Sequence, residues 1–163
     1  MKKILCAAIA LLCALGLVAC KDKAAETGSG VAFYVEYNGT KIELGAKADK
    51  IIESLGEPQS VREIGDCGGL GAQVKYSYPS FYVYVLESDA KGNIIDQITF
   101  RDDVVTTPEG VYIGMSVDDA KQKLGEPTAQ SDTALEYQKD SFLLRLVIKG
   151  GAVEQIDYMT VTQ

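Results

Sequence analysis

Four cysteines and no histidine bound the chemistry open to this 163-residue chain. Without an imidazole it has no Ser-His-Asp or Cys-His nucleophile pair and no histidine-ligated zinc. The commonest general acid–base group is missing as well. These exclusions weigh most heavily against a hydrolase, and the chain reads as a non-enzyme. Cys20 closes the run Leu17-Val18-Ala19-Cys20, a lipobox in which the small Ala19 suits a bacterial signal peptidase that cuts just before a lipidated cysteine. Lys2 and Lys3 supply a positive start. The apolar run 4–18 is shorter than the about 20 residues that a bilayer span takes, yet it matches a signal-peptide core. Cys20 is therefore the expected lipidation site and mature N-terminus. Its two acyl chains would hold the protein stably on a membrane, where one chain is marginal.

Cys6 and Cys13 leave with the leader, so Cys67 is the one thiol remaining beside the lipidated residue. No internal disulfide is open to it. Two readings stand: a small buried residue, or a reactive thiol used in redox chemistry or in an intermolecular bridge. Other constellations are weaker. Asp102 and Asp103 are adjacent on an extended chain, so their carboxylates point apart and form no calcium site by themselves. Residues 89–93 place Lys91 where a calcium ligand is needed. The run Cys67-Gly68-Gly69-Leu70-Gly71 is glycine-rich but lacks a phosphate-binding fingerprint; it reads as a loop at a sheet edge. No metal or cofactor is expected.

Cleavage before Cys20 leaves about 144 residues, room for one domain or two small ones. It moves the net charge from −7 to about −9, which repels nucleic acid and anionic lipid. Nucleic acid is excluded as a partner on this ground, and the membrane is reached through the lipid alone. Residues 1–19 are the signal peptide, and 20–32, polar and small, read as the lipidated cysteine with a flexible tether.

The folded part opens with a hairpin over 33–44, turned at Asn38-Gly39. The remainder looks duplicated at a shift of 69, with Leu55-Gly56-Glu57-Pro58 returning as Leu124-Gly125-Glu126-Pro127. Each copy carries a helix pattern: Ala48, Ile51, Ile52 and Leu55 in the first, Val117, Ala120 and Leu124 in the second. Ser116 and Asp119 make a capping-box-like start to the second helix. Gly56 and Gly125 stop the helices, and Pro58 and Pro127 prevent their resumption. Strands are expected at 60–64, 72–77, 81–87 and 94–101, and again at 133–138, 142–149 and 152–159. The expectation is an α+β fold: two tandem helix-plus-antiparallel-meander repeats, 33–103 and 104–163, forming one curved sheet with helices on one face.

Alternation then separates the two faces. Phe142, Leu144, Leu146 and Ile148 form one apolar row, with Phe81, Val83 and Val85 as its counterpart and Ile98, Phe100, Ile156 and Tyr158 beside them. The opposite side receives Tyr82, Tyr84, Leu86, Gln97, Thr99, Arg101, Leu143, Arg145, Val147, Gln155 and Asp157. Tyrosine and arginine dominate protein interfaces, because they combine large area with a polar tip. Tyr82, Tyr84, Arg101 and Arg145 are the candidate partner-binding residues; the competing reading is that tyrosines suit strands anyway and cover a half-wet sheet.

The repeated Leu-Gly-Glu-Pro helix ends with their meanders resemble the modules of β-lactamase-inhibitor-like proteins and of small outer-membrane lipoproteins of the SmpA/OmlA (BamE) type. Residues 67–78, 102–110 and Ile113-Gly114-Met115 resemble a group of surface lipoproteins of clostridia-type bacteria. The resemblance implies a tandem-module sheet whose concave face is available to a protein; no inhibitory loop of those inhibitors matches this chain. The expected function is that of an extracytoplasmic lipoprotein, anchored on the outer leaflet in a single-membrane cell, which binds an envelope or extracellular protein through its open sheet face. The alternatives are an inhibitor or sensor of an extracellular enzyme and a thiol redox protein using Cys67.

Overall fold

The computed structural model describes residues 31–65, 71–87 and 92–161. The leader, Cys20 and Cys67 lie outside these residues. The first element is a hairpin of β1 (Tyr34–Tyr37) and β2 (Thr40–Glu43). Asn38 and Gly39 join them with φ of 49° and 79°, the paired positive angles that a two-residue turn of matching twist requires. α1 (Ala48–Leu55) follows and ends at Gly56, whose φ is 77°. Then come β3 (Ser60–Gly65), β4 (Gln73–Ser77), β5 (Phe81–Leu86) and β6 (Ile94–Phe100). After an irregular stretch, α2 (Val117–Leu124) precedes β7 (Ala129–Ser131), β8 (Ala134–Lys139), β9 (Phe142–Lys149) and β10 (Ala152–Thr160). At the start of α2 the Ser116 hydroxyl accepts the Asp119 N–H at 3.2 Å and donates to the Asp119 carboxylate at 2.6 Å, so one orphan helix donor is satisfied by the side chain.

β3 to β10 form one antiparallel sheet in the order β3-β4-β5-β6-β10-β9-β8-β7. The join is made by β6 and β10, with Tyr158 opposite Ile98 and Asp157 opposite Thr99. The expected α+β fold of two helix-plus-meander repeats is corrected by this arrangement. The molecule is mostly β, with ten strands and two helices among the described residues. Each helix has eight residues, about 12 Å of length, too little to form a layer over a sheet roughly 34 Å across. The rest of the cover comes from the β1–β2 hairpin and from residues 101–116. The sheet continues unbroken through β6 and β10, and one core serves all of it.

That core gathers Val35 and Ile42 of the hairpin, Ala48 of α1, Val105, Val111 and Met115 of the irregular stretch, and Ala120 and Leu124 of α2. They meet Phe81, Val83, Ile98, Phe100, Leu144, Leu146, Ile156 and Tyr158 of the sheet. Aromatic rings tie the parts together: Tyr37 against Phe81 at 4.8 Å, Phe33 against Phe142 at 5.7 Å, and Phe100 against Tyr158 at 6.0 Å across the β6–β10 join. Asp102 is a turn residue, its carboxylate accepting the Val104 N–H at 3.1 Å. Glu109 takes the Ala32 N–H at 2.7 Å and so fastens the start of the folded chain to the irregular stretch.

Candidate partner-binding face

The strand register aligns the side chains of the other face in straight rows. One row runs Ser60, Ser77, Tyr82, Thr99, Asp157, Arg145, Glu136, Ala129, one residue from each strand of the sheet. The next runs Arg62, Lys75, Tyr84, Gln97, Met159, Leu143, Gln138. None of these residues belongs to the core cluster, although Leu143 at 9% exposure is buried. Helices, hairpin and irregular stretch all contribute to that cluster, which leaves this second face without a covering layer among the described residues.

Short side chains lie between tall ones along the first row. Thr99 and Asp157 occupy the two central strands, with Tyr82 on one side and Arg145 on the other, roughly 14 Å apart over three inter-strand steps. The result is a shallow trough between Tyr82 and Arg145, centred on Thr99 and Asp157. Its floor is polar and buried: Asp157 is 5% exposed and Thr99 8%. A chain of hydrogen bonds organises it. Gln97 Nε2 donates to Thr99 Oγ1 at 3.0 Å, Thr99 Oγ1 donates to Asp157 Oδ1 at 2.7 Å, and Gln155 Nε2 donates to Asp157 Oδ2 at 2.7 Å. Each carboxylate oxygen thus accepts one bond from a neutral donor. A buried charge without partners would be costly, and these bonds offset part of that cost. At one end of the trough, Asp96 accepts from Gln73 Nε2 at 2.7 Å and from the Thr160 hydroxyl.

The candidate residues divide into groups. Tyr82 and Tyr84 stand together, ring centroids 6.4 Å apart in an edge-to-face arrangement. Burial raises the Tyr84 phenol above its ordinary pKa; a hydrogen bond with Thr99 opposes the shift, and the charge of Asp157 adds to it. Lys75 lies 4.2 Å above the Tyr82 ring and the Arg101 guanidinium 5.0 Å from it. Arg101 falls beyond the last paired residue of β6 and serves the β4–β5 turn, donating to the carbonyls of Tyr78 at 3.1 Å and Pro79 at 3.2 Å. Its contribution is to brace Tyr82 from the rim. Arg145 stands apart on β9, paired with Glu136 at 3.2 Å. Beside that pair is a small pocket of about 180 Å³, lined by Ala129, Gln130, Ser131, Ala134, Glu136 and Arg145.

Alternation places Thr99, Asp157 and Gln155 on this face without marking them as site residues. A signal was present. Aspartate is depleted from strands, and Asp157 sits between Ile156 and Tyr158 inside one. On the helix side of the sheet, a second pocket of about 370 Å³ is lined by Tyr34, Glu36, Thr106, Thr107 and Pro108. Near it Oε2 of Glu109 is buried without a hydrogen-bond partner among the described residues. Among the described residues no group of three or more His, Cys, Asp or Glu is placed to hold a metal ion, and no helix is long and apolar enough to cross a membrane.

No protein-family model, curated protein or solved structure matches this chain.

Proposed function

We propose that this protein is a lipid-anchored, extracytoplasmic binding module whose outer sheet face docks an envelope or extracellular protein. The carrying observation is the row Tyr82, Thr99, Asp157, Arg145: tyrosine and arginine walls around a buried polar floor, on a face that no described element covers. Interfaces concentrate their energy in such partly desolvated aromatic and arginine positions. The face measures roughly 34 Å by about 20 Å, on the order of 700 Å², close to the roughly 800 Å² per partner that stable complexes bury. The anchor rests on the lipobox ending at Cys20, and the non-enzymatic reading on the absence of histidine.

The test is co-purification of the tagged full-length protein from cross-linked intact cells, beside the Tyr82→Ala/Tyr84→Ala variant. A protein recovered with the wild type and lost from a folded variant is the expected result. Equal recovery would contradict the face assignment. For the anchor, labelled fatty acid should enter the wild type and not Cys20→Ala; label in both would contradict it.

A further inference from the structure

We infer that the trough receives a basic side chain, arginine in the first place, from an extended segment of the protein partner. The inference rests on the binding-face reading above and names the chemistry of the occupant. Asp157 is the deepest charged group of the face, 5% exposed. Among the described residues it takes part in no ion pair; the pairs are Lys41–Glu43, Arg145–Glu136 and Lys149–Glu154. Arg145, directly opposite Asp157 in the ladder, has its guanidinium on Glu136 instead. The two cations on the tyrosine side are also engaged, Lys75 over Tyr82 and Arg101 on the turn carbonyls.

A partner that covers the trough removes the remaining solvent exposure of Asp157. Two neutral donors already hold it, and a carboxylate has room for about four. An apolar or acidic occupant would leave a buried charge uncompensated, so it is rejected. A basic group offsets the desolvation and completes the unused acceptor sites. Arginine fits better than lysine, because its planar fork can bond the carboxylate while its flat face lies against a ring. Tyr84 stands on that side of the trough, close enough to Asp157 for the carboxylate charge to act on its phenol. The chain as a whole carries a net charge of −7, which draws a basic segment toward it.

The experiment uses the full-length protein in detergent and an array of blocked tyrosine-, serine- and alanine-based peptides that differ only in the central residue: arginine, lysine, norleucine or glutamate. Wild type should prefer arginine over norleucine by about tenfold, with lysine between them and glutamate weakest. Asp157→Asn should equalise arginine and norleucine, with arginine binding falling and norleucine binding rising as the buried charge is removed. Should that variant fail to fold, a salt series decides: the arginine preference must shrink from about 0.05 M to about 0.5 M salt. Binding that requires Tyr82 and Tyr84 but shows no basic preference would overturn the arginine site and leave the face standing. A preference that survives Asp157→Asn, or that ignores salt, would also overturn it. Binding that persists without the two tyrosines, or no binding to any peptide, would count against the face itself.

Discussion

On β5, Val83 lies between Tyr82 and Tyr84 in sequence and on the opposite side of one sheet. Val83 is fully buried in the core with Phe81, Ile98 and Leu144. The tyrosines remain half-buried, outside that core, over Thr99 and Asp157. The same strands therefore build two different surfaces. The core face is apolar and closed by hairpin, helices and the irregular stretch. The outer face is amphipathic, and at its centre a charged group has been buried although core packing does not demand it. A polar floor costs stability unless its bonds are made, and here they are made between β6 and β10, the strands that join the sheet. The contrast separates what holds the molecule together from what is free to meet a partner.

Substitutions should respect that division. Phe81→Ala and Leu144→Ala, on the core face, should each lower unfolding free energy by about 3–5 kcal/mol, read as a fall in urea midpoint. Tyr82→Ala with Tyr84→Ala should do the converse: recovery of the partner should fall at least about thirtyfold, with a much smaller change in midpoint than Phe81→Ala produces. A large midpoint loss with unaltered partner recovery would reverse the roles assigned to the two faces.

Alkaline titration probes the core face most strongly, although the Tyr84 phenol of the outer face is raised as well. Burial pushes the Tyr137 phenol up to about 12, and it raises Tyr158 well above its ordinary value, with the Glu109 charge adding to the shift. In the unfolded chain these phenols lose protons near about pH 10. A raised folded pKa means that the folded state holds the proton more tightly, so the contribution is complete below about pH 10 and falls away as pH rises toward about 12. Urea midpoints should be flat up to about pH 9 and drop by pH 11.5, and Tyr137→Phe should shallow that drop. The smallest effect is expected at the helix that covers the sheet: Ser116→Ala should cost about 1 kcal/mol through loss of its cap, with partner recovery unchanged.

Much of this contrast was legible in the residues. The alternation of β5 and β9 sorts their side chains without reference to any other strand, because a period of two leaves no freedom once one row is apolar. Asn38-Gly39, Gly56 and Gly125 carry their turns in their own φ preferences. The rest depends on partners distant in sequence. β7 is Ala129-Gln130-Ser131, small and polar, and it is a strand only because β8 pairs with it. The fold class is not legible in the repeats, because a repeated helix end marks where a helix stops and does not state how much of the sheet it covers. Arg101 looks free by alternation, but the β4–β5 turn presents two carbonyls to it. The burial of Asp157 follows from β6 lying beside β10, a pairing that local periodicity does not encode.

The central claim is that the face away from the helices is the one that meets a partner. A photo-reactive phenylalanine analogue at position 155, exposed beside the trough, tests it against the same analogue at position 122, exposed on α2. Illumination of intact cells should give a discrete adduct from position 155, and that adduct should vanish when Tyr82 and Tyr84 are alanine. An adduct from position 122 alone, or none from position 155, would contradict the account.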